Sequence, residues 1–205
     1  MPTSTKLLPK IQSFVDTLDT SSIPDERKEV LQLLINFVQE KKDAGDEINL
    51  NFICTHNSRR SQFSQVWGKT AAYYHGIDIN SFSGGVEVTA FNERAVESIK
   101  RTGFGVTSQG AGNPIYSVTY AQGEEPLKAF SKVFDDPANA ENFAAVMTCS
   151  HADENCPFIP GAQARLPVRY EDPKAFDDTP QESEKYEERS RQIATELFYV
   201  FSQIK

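Results

Sequence analysis

The chain has 205 residues, 39% of them apolar, which is enough for one full hydrophobic core with room for an appendage. A formal net charge of −8 argues against the extended positive surface that nucleic acid or anionic lipid requires, and no apolar run has the length of a membrane span or follows a basic start. Three cysteines, an odd number, fit reduced thiols in the cytoplasm better than a secreted disulfide framework.

Residues 1–45 read as a helical extension. Ser22 and Asp25 form an S-x-x-D start with Pro24 in the first turn, and Val30, Leu31, Leu34, Phe37 and Val38 share one face before Gly45. Such a face predicts packing or homodimer formation rather than chemistry. From Asp46 onward, residues 46–205 read as one domain of alternating strands and helices. Ile48–Ile53 is a strand, and Gln62–Tyr74 an amphipathic helix through Phe63, Val66, Trp67 and Thr70. Ile79–Phe82 is a second strand ending in Ser83-Gly84-Gly85. Asn92–Thr102 is a helix stopped by Gly103, with Ala95, Val96 and Ile99 inward. Residues 113–139 interrupt this rhythm with alternation through Ile115, Ser117, Val118 and Tyr120, an inserted hairpin or excursion. Ala144–Cys149 is a continuous apolar strand suited to a buried parallel sheet, a last strand lies around Val168, and a long helix starts near Gln181.

This order predicts an α/β fold with three layers, α/β/α, around a central parallel sheet of about four strands. Ligands in such sheets bind beyond the carboxyl ends of the strands, where Cys54, Ser83 and Cys149 all fall.

The chemistry is concentrated in Cys54-Thr55-His56-Asn57-Ser58-Arg59-Arg60-Ser61, a C-x₅-R-S segment between strand and helix. A loop of this length can turn its backbone N–H groups inward as an anion nest, and the following helix adds its positive end. The same field favours a thiolate at Cys54. Arg60 can hold two oxygens of a tetrahedral anion, and Ser61 can donate a hydrogen bond to the sulfur. A C-x₅-R match alone is weak, because a buried cysteine is commonly a small hydrophobe; the strand before it and the helix after it carry the assignment.

Cys149 and Cys156 lie seven apart, just past the third strand. A zinc site is a poor match, since His151 and the loop acids form no second ligand pair. No metal or cofactor is expected. A redox pair fits better, because the largely polar six-residue loop between the two allows the sulfurs to meet after local rearrangement.

The runs Cys54 to Gln62, Ser83-Gly-Gly-Val-Glu87 and Cys149-Ser-His-Ala-Asp-Glu-Asn-Cys156-Pro resemble the thioredoxin-coupled arsenate reductases, which share the low-molecular-weight protein tyrosine phosphatase fold. The resemblance spans about Ile48 to Lys205 apart from the insertion. It implies that Cys54 attacks arsenate while Arg60 and the loop residues Thr55 to Arg59 hold the oxyanion, with Asp172 as the acid. It further implies that Cys149 and then Cys156 carry the disulfide outward to thioredoxin. Asn57 and Ser83 resemble residues that shape the loop. Three positions depart from the pattern: Gln65 stands where potassium-binding relatives have glutamate, Arg59 replaces a cysteine found in many relatives, and His56 replaces a glycine. Asp136-Pro137 is a second Asp-Pro pair, but chain order favours Asp172.

The alternative is a phosphatase hydrolysing phosphate monoesters through a phosphocysteine, since arsenate and phosphate present nearly the same anion. Phosphatases of this fold typically follow the acid with an aromatic pair, whereas Asp172-Pro173 is followed by Lys174-Ala175-Phe176. Tyr116, Tyr120 or Tyr170 could supply a ring from elsewhere. A sensor that holds an oxyanion without turnover ranks third, because neither Arg60 nor Asp172 is lost.

Overall fold

In the computed structural model, residues 6–155 and 158–205 are described, and of Asn155 only the backbone. Strand β1 (Asn49–Cys54) is buried along its whole length, so both of its faces need cover. It forms the middle of a sheet with β2 (Asn80–Gly85), β6 (Phe143–Met147) and β7 (Ala162–Leu166), in the order β2-β1-β6-β7 with every pairing parallel. The expected four-stranded parallel sheet is therefore present. The last strand runs earlier than expected: Val168 lies beyond β7 in an extended segment where Tyr170 N–H donates to Thr148 O.

Alternation along the strands divides the core. Leu50, Phe52, Ala144 and Val146 face a large cluster under helices α3 (Arg60–Tyr74) and α6 (Glu182–Ser202), whereas Ile53, Ala145 and Met147 face a smaller one with Cys149, Ala152 and Ile159. The short helix α5 (Ser150–Asn155) lies on that second face. Asn49 and Asn51 are buried in β1 because their amides hold the carbonyls of Glu141, Asn142 and Phe134, tying the covering segment down.

The N-terminal residues form α1 (Pro9–Val15) and α2 (Asp25–Ala44). Gly45 ends α2 with φ of 71°, a left-handed cap that glycine adopts without a Cβ penalty. Ser22 makes no capping bond to α2; it lies in a 3₁₀ turn, Thr20–Ser22, capped by Asp19, and Pro24 leads the helix. Ile11, Leu31, Leu34 and Val38 are fully buried in the large cluster, and Phe14 stacks on Trp67 with ring centroids 5.2 Å apart. The extension thus shares one core with the sheet.

The interruption after α4 (Glu93–Thr102) is an antiparallel sheet of β3 (Gly105–Gln109), β4 (Ile115–Thr119) and β5 (Leu127–Ala129). It begins earlier than position 113. From Phe130 the chain returns alongside β2, where Gly85 N–H donates to Lys132 O and Phe134 N–H to Gly85 O.

Candidate active site

Cys54 ends β1 and is buried, with Sγ 3.1 Å from Ser61 Oγ. Asn57 Nδ2 donates to the same hydroxyl at 2.9 Å. With the amide occupying an oxygen lone pair, the Ser61 proton is free to point at the sulfur, so the first turn of α3 presents a hydrogen-bond donor to Cys54.

The loop between β1 and α3 is braced from behind. Asn57 adopts φ of 45°, in the left-handed region that Asn tolerates better than most residues. Within the loop the left-handed conformation thus falls at Asn57, one residue after His56. Asn57 O accepts from Gln62 Nε2 at 3.0 Å and Asn57 Oδ1 from Lys132 N–H at 3.0 Å. Thr55 O accepts from the amides of Val86 and Glu87, His56 O from Thr89 Oγ1 and Ser131 Oγ, and Ser58 O from Asn92 N–H. Among the described residues, the amides of His56, Asn57, Ser58 and Arg59 donate to no protein acceptor. Carbonyls engaged outward and amides left without acceptors are the arrangement an anion nest requires. Gly85 permits it: a Cβ there would lie 2.8 Å from Asn57 N and 2.9 Å from Thr55 O.

Arg60 donates from Nη1 to Tyr170 O at 3.1 Å and from Nη2 to Asp172 Oδ2 at 2.9 Å, while its buried Nε has no partner among the described residues. An orphaned guanidinium donor at an anion loop is one that a ligand oxygen can satisfy. Arg59 grips Asp172 in two places, Nε to Oδ1 at 2.8 Å and Nη2 to Oδ2 at 3.3 Å, and Lys174 N–H adds a bond to Oδ1 at 3.1 Å. Burial pushes the Asp172 carboxyl up, but the Arg59 hydrogen bonds and the charges of Arg60 and Arg59 hold it below its ordinary value. Asp172 is therefore an acceptor in this arrangement. Asp136, the other Asp-Pro aspartate, caps Ala138 N–H in the segment over the second sheet face.

Ser83 does not bond to the loop. Its hydroxyl donates to Gln65 Oε1 at 2.6 Å, and Gln65 Nε2 donates to Ser81 O and Lys128 O, so the neutral amide joins β2, α3 and β5 by itself. Tyr116, Tyr120 and Tyr170 are all buried in the large core, and of the three only Tyr170 serves the site, through its carbonyl. Ser58 Oγ turns away to Ala90 O at 2.7 Å, and His56 Nε2 lies 3.3 Å from Glu87. A cleft of about 450 Å³ opens beside the loop, with His56, Arg59, Arg94 and Lys174 in its wall.

Cys149 is fully buried, 3.5 Å from Thr55 Oγ1, so the second thiol reaches the residue next to Cys54. Ala152 N–H points at its sulfur at 3.4 Å. Cys156 lies outside the described residues. Sequence reasoning missed Gln62, Thr89, Ser131 and Lys132, which brace the loop. Only Gln62 left a signal, a polar residue on the buried side of α3. Lys132 is itself unusual: it is buried, its ammonium lies over the Phe130 ring, and burial, opposed by the Asp136 charge, lowers its pKa to about 8.

A parallel sheet carrying a cysteine-to-arginine anion loop at the end of its central strand defines the low-molecular-weight protein tyrosine phosphatase fold. The chain is similar to the solved structure of a YwlE mutant from Bacillus subtilis (TM-score 0.53, 14% identity, 77% of this chain and 98% of that one). It is also similar to the low-molecular-weight protein tyrosine phosphatase of T. tengcongensis (TM-score 0.52, 16% identity, 77% and 100%). Those identities speak for the fold. No protein-family model matches the chain. Among curated proteins, arsenate reductase 1 of Staphylococcus saprophyticus is 30% identical over 128 residues, 62% of this chain and 80% of the relative. Arsenate reductase of Brevibacillus brevis is 32% identical over 122 residues, 60% and 74%. The chain belongs to the arsenate reductase family, built on the low-molecular-weight phosphatase fold.

Proposed function

We propose that the protein reduces arsenate to arsenite with its own thiols. The observation that carries this reading is the second buried thiol, Cys149, reaching Thr55 beside Cys54. Hydrolysis of an ester needs one thiol; transfer of two electrons to arsenic needs a pair. The Cys54 thiolate displaces water from arsenate, forming a sulfur–arsenic(V) bond while the loop amides and Arg60 hold the remaining oxygens. Cys149 then attacks Cys54 Sγ. The sulfur–sulfur bond forms, the sulfur–arsenic bond breaks with its electron pair left on arsenic, and arsenic(III) departs. Cys156 attacks Cys149 in turn, and thioredoxin in the cytoplasm reduces the resulting Cys149–Cys156 disulfide. Among the described residues, no helix is long and apolar enough to cross a membrane.

Asp172 is assigned as the group that protonates the departing oxygen once an anion draws Arg60 away from it. Asn57 is assigned to shape the loop, and Ser83 to fix α3, the helix that follows the loop, through Gln65. The N-terminal helices are assigned a homodimer face. Leu31, Leu34 and Val38 are buried within the chain, so that face would use the exposed side around Leu33, and concentration-dependent sedimentation tests it.

The test of the main reading is NADPH oxidation in the presence of thioredoxin, thioredoxin reductase and arsenate. Sustained turnover that disappears in Cys149→Ser and in Cys156→Ser is expected; full turnover in either variant would overturn the relay. A second reading, phosphate-ester hydrolysis through a phosphocysteine, is favoured by the anion loop itself, which does not distinguish phosphate from arsenate. It predicts that Cys54→Ser loses hydrolysis while Cys149→Ser retains it.

A further inference from the structure

Among the described residues, Cys149 has no direct contact with bulk water. Its side chain is 0% exposed, yet as a thiol it is a poor nucleophile and must lose that proton to attack Cys54. Thr55 Oγ1 lies 3.5 Å from Cys149 Sγ and 3.3 Å from His151 Nδ1. His151 is exposed on the first turn of α5, while Thr55 is half-buried between it and the thiol. The three groups form a line from a buried thiol, through a hydroxyl, to an imidazole in contact with solvent.

We infer that His151 is the proton acceptor for Cys149, acting through the Thr55 hydroxyl; the inference rests on the three-thiol reading for its place in the reaction. A threonine hydroxyl has one donor and two acceptor positions, so it can serve both neighbours at once. Before transfer, Cys149 Sγ–H donates to Thr55 Oγ1 and the Thr55 hydroxyl donates to His151 Nδ1, which requires the imidazole to carry its proton on Nε2. As Cys149 gives its proton to Oγ1, the hydroxyl proton passes to Nδ1. The hydroxyl then donates to the thiolate and accepts from the imidazolium. The thiolate attacks Cys54 Sγ, the sulfur–arsenic electron pair stays on arsenic, and His151 releases its proton to water. The Ala152 N–H pointing at Cys149 Sγ supports the negative sulfur from the other side.

The charged groups nearby are engaged with one another. On α5, Asp153 pairs with Arg165 and Arg169, and Glu154 lies 3.5 Å from Arg169. Across the loop, His56 lies 3.3 Å from Glu87. Thr55 Oγ1 lies within reach of both groups, so His151 is the imidazole that the loop hydroxyl links to the second thiol. Its role is that of a positioning and proton-accepting residue, since it touches neither arsenic nor sulfur.

The first arm of the test needs no arsenate. With Cys54→Ser and Cys156→Ser in place, Cys149 is the sole cysteine, and its thiolate absorbance is followed against pH. His151→Asn keeps a polar atom at the Nδ1 position but cannot take up a proton, Thr55→Val removes the hydroxyl at nearly constant shape, and Thr55→Ser restores it. The Cys149 thiolate should need an approximately tenfold lower proton concentration to appear in His151→Asn and in Thr55→Val, and Thr55→Ser should behave like the parent. Curves that superimpose across all four proteins would overturn the inference. The second arm mixes reduced protein carrying only Cys156→Ser with arsenate and follows the Cys54–Cys149 disulfide by mass. His151→Asn should slow its formation by about 10²-fold near neutral pH, the low end for general-base effects, with the difference closing in alkali. Equal rates at neutral pH would count against the inference. If no disulfide forms in the parent although the first arm shows the shift, the arsenate reading fails while the link from Cys149 to His151 stands.

Discussion

Arg59 holds Asp172 through both carboxylate oxygens, at 2.8 and 3.3 Å, and so keeps the candidate acid as a carboxylate. A carboxylate occupied by two guanidinium groups and a backbone N–H cannot donate a proton to a leaving group until an anion draws Arg60 away and the carboxyl takes up a proton against the remaining Arg59 grip.

Removing that grip should raise phosphatase activity. In Arg59→Leu the Asp172 carboxyl moves up toward the ordinary carboxylate value, so a larger fraction is protonated in mild acid. Hydrolysis of phenyl phosphate, whose leaving group needs protonation, should rise by about tenfold or more, within the range for general-acid effects. The pH–rate profile checks it. A profile identical to the parent's would mean that Asp172 does not limit ester hydrolysis.

Asn57 combines a left-handed backbone with three braces, and two substitutions separate these effects. Asn57→Gly keeps the conformation and loses the side-chain bonds, while Asn57→Ala also carries strain. Denaturant unfolding should show Ala less stable than Gly by about 1 kcal/mol, the usual cost of a non-glycine residue in this region. Both variants should lose most of the activity. Equal stability of the two would show that the loop relaxes.

Lys132 gives the stability a defined pH dependence. Its folded value is lowered to about 8, whereas the unfolded lysine titrates near 10.5. Between those values the unfolded chain binds the proton and the native protein does not, so stability rises with pH through that window. Below it, the buried ammonium opposes folding in full. Lys132→Met should therefore stabilise the protein at neutral pH by about 1–3 kcal/mol and flatten the alkaline rise. Unfolding curves from neutral to alkaline pH for the two proteins make the comparison.

The N-terminal helices should contribute to global stability. Ile11→Ala on α1 and Leu34→Ala on α2 each remove a fully buried side chain from the large cluster and should cost about 2–5 kcal/mol. If the extension were separable, these changes would leave the main unfolding transition in place. Trp67 fluorescence reports on the shared core, because its ring stacks on Phe14.

By itself, the sequence determined most of the sheet and helix elements and the place of the candidate nucleophile at the end of β1. The alternation of strands and helices from Ile48 onward, the stops at Gly103 and Gly45, and the C-x₅-R-S loop were legible because local chain geometry follows short-range pattern. Tertiary structure alone decided how the loop is held and what its side chains face. Ser131 and Lys132 reach His56 and Asn57 from more than 70 positions away. Arg59 finds Asp172, and Thr55 meets both Cys149 and His151, across a similar separation. Nor could the sequence show that α1 and α2 share the sheet's core or that Val168 lies past its strand. The physical reason is the same in each case: hydrogen bonds and ion pairs form wherever the fold brings donor and acceptor within about 3 Å, and that separation is unrelated to distance along the chain.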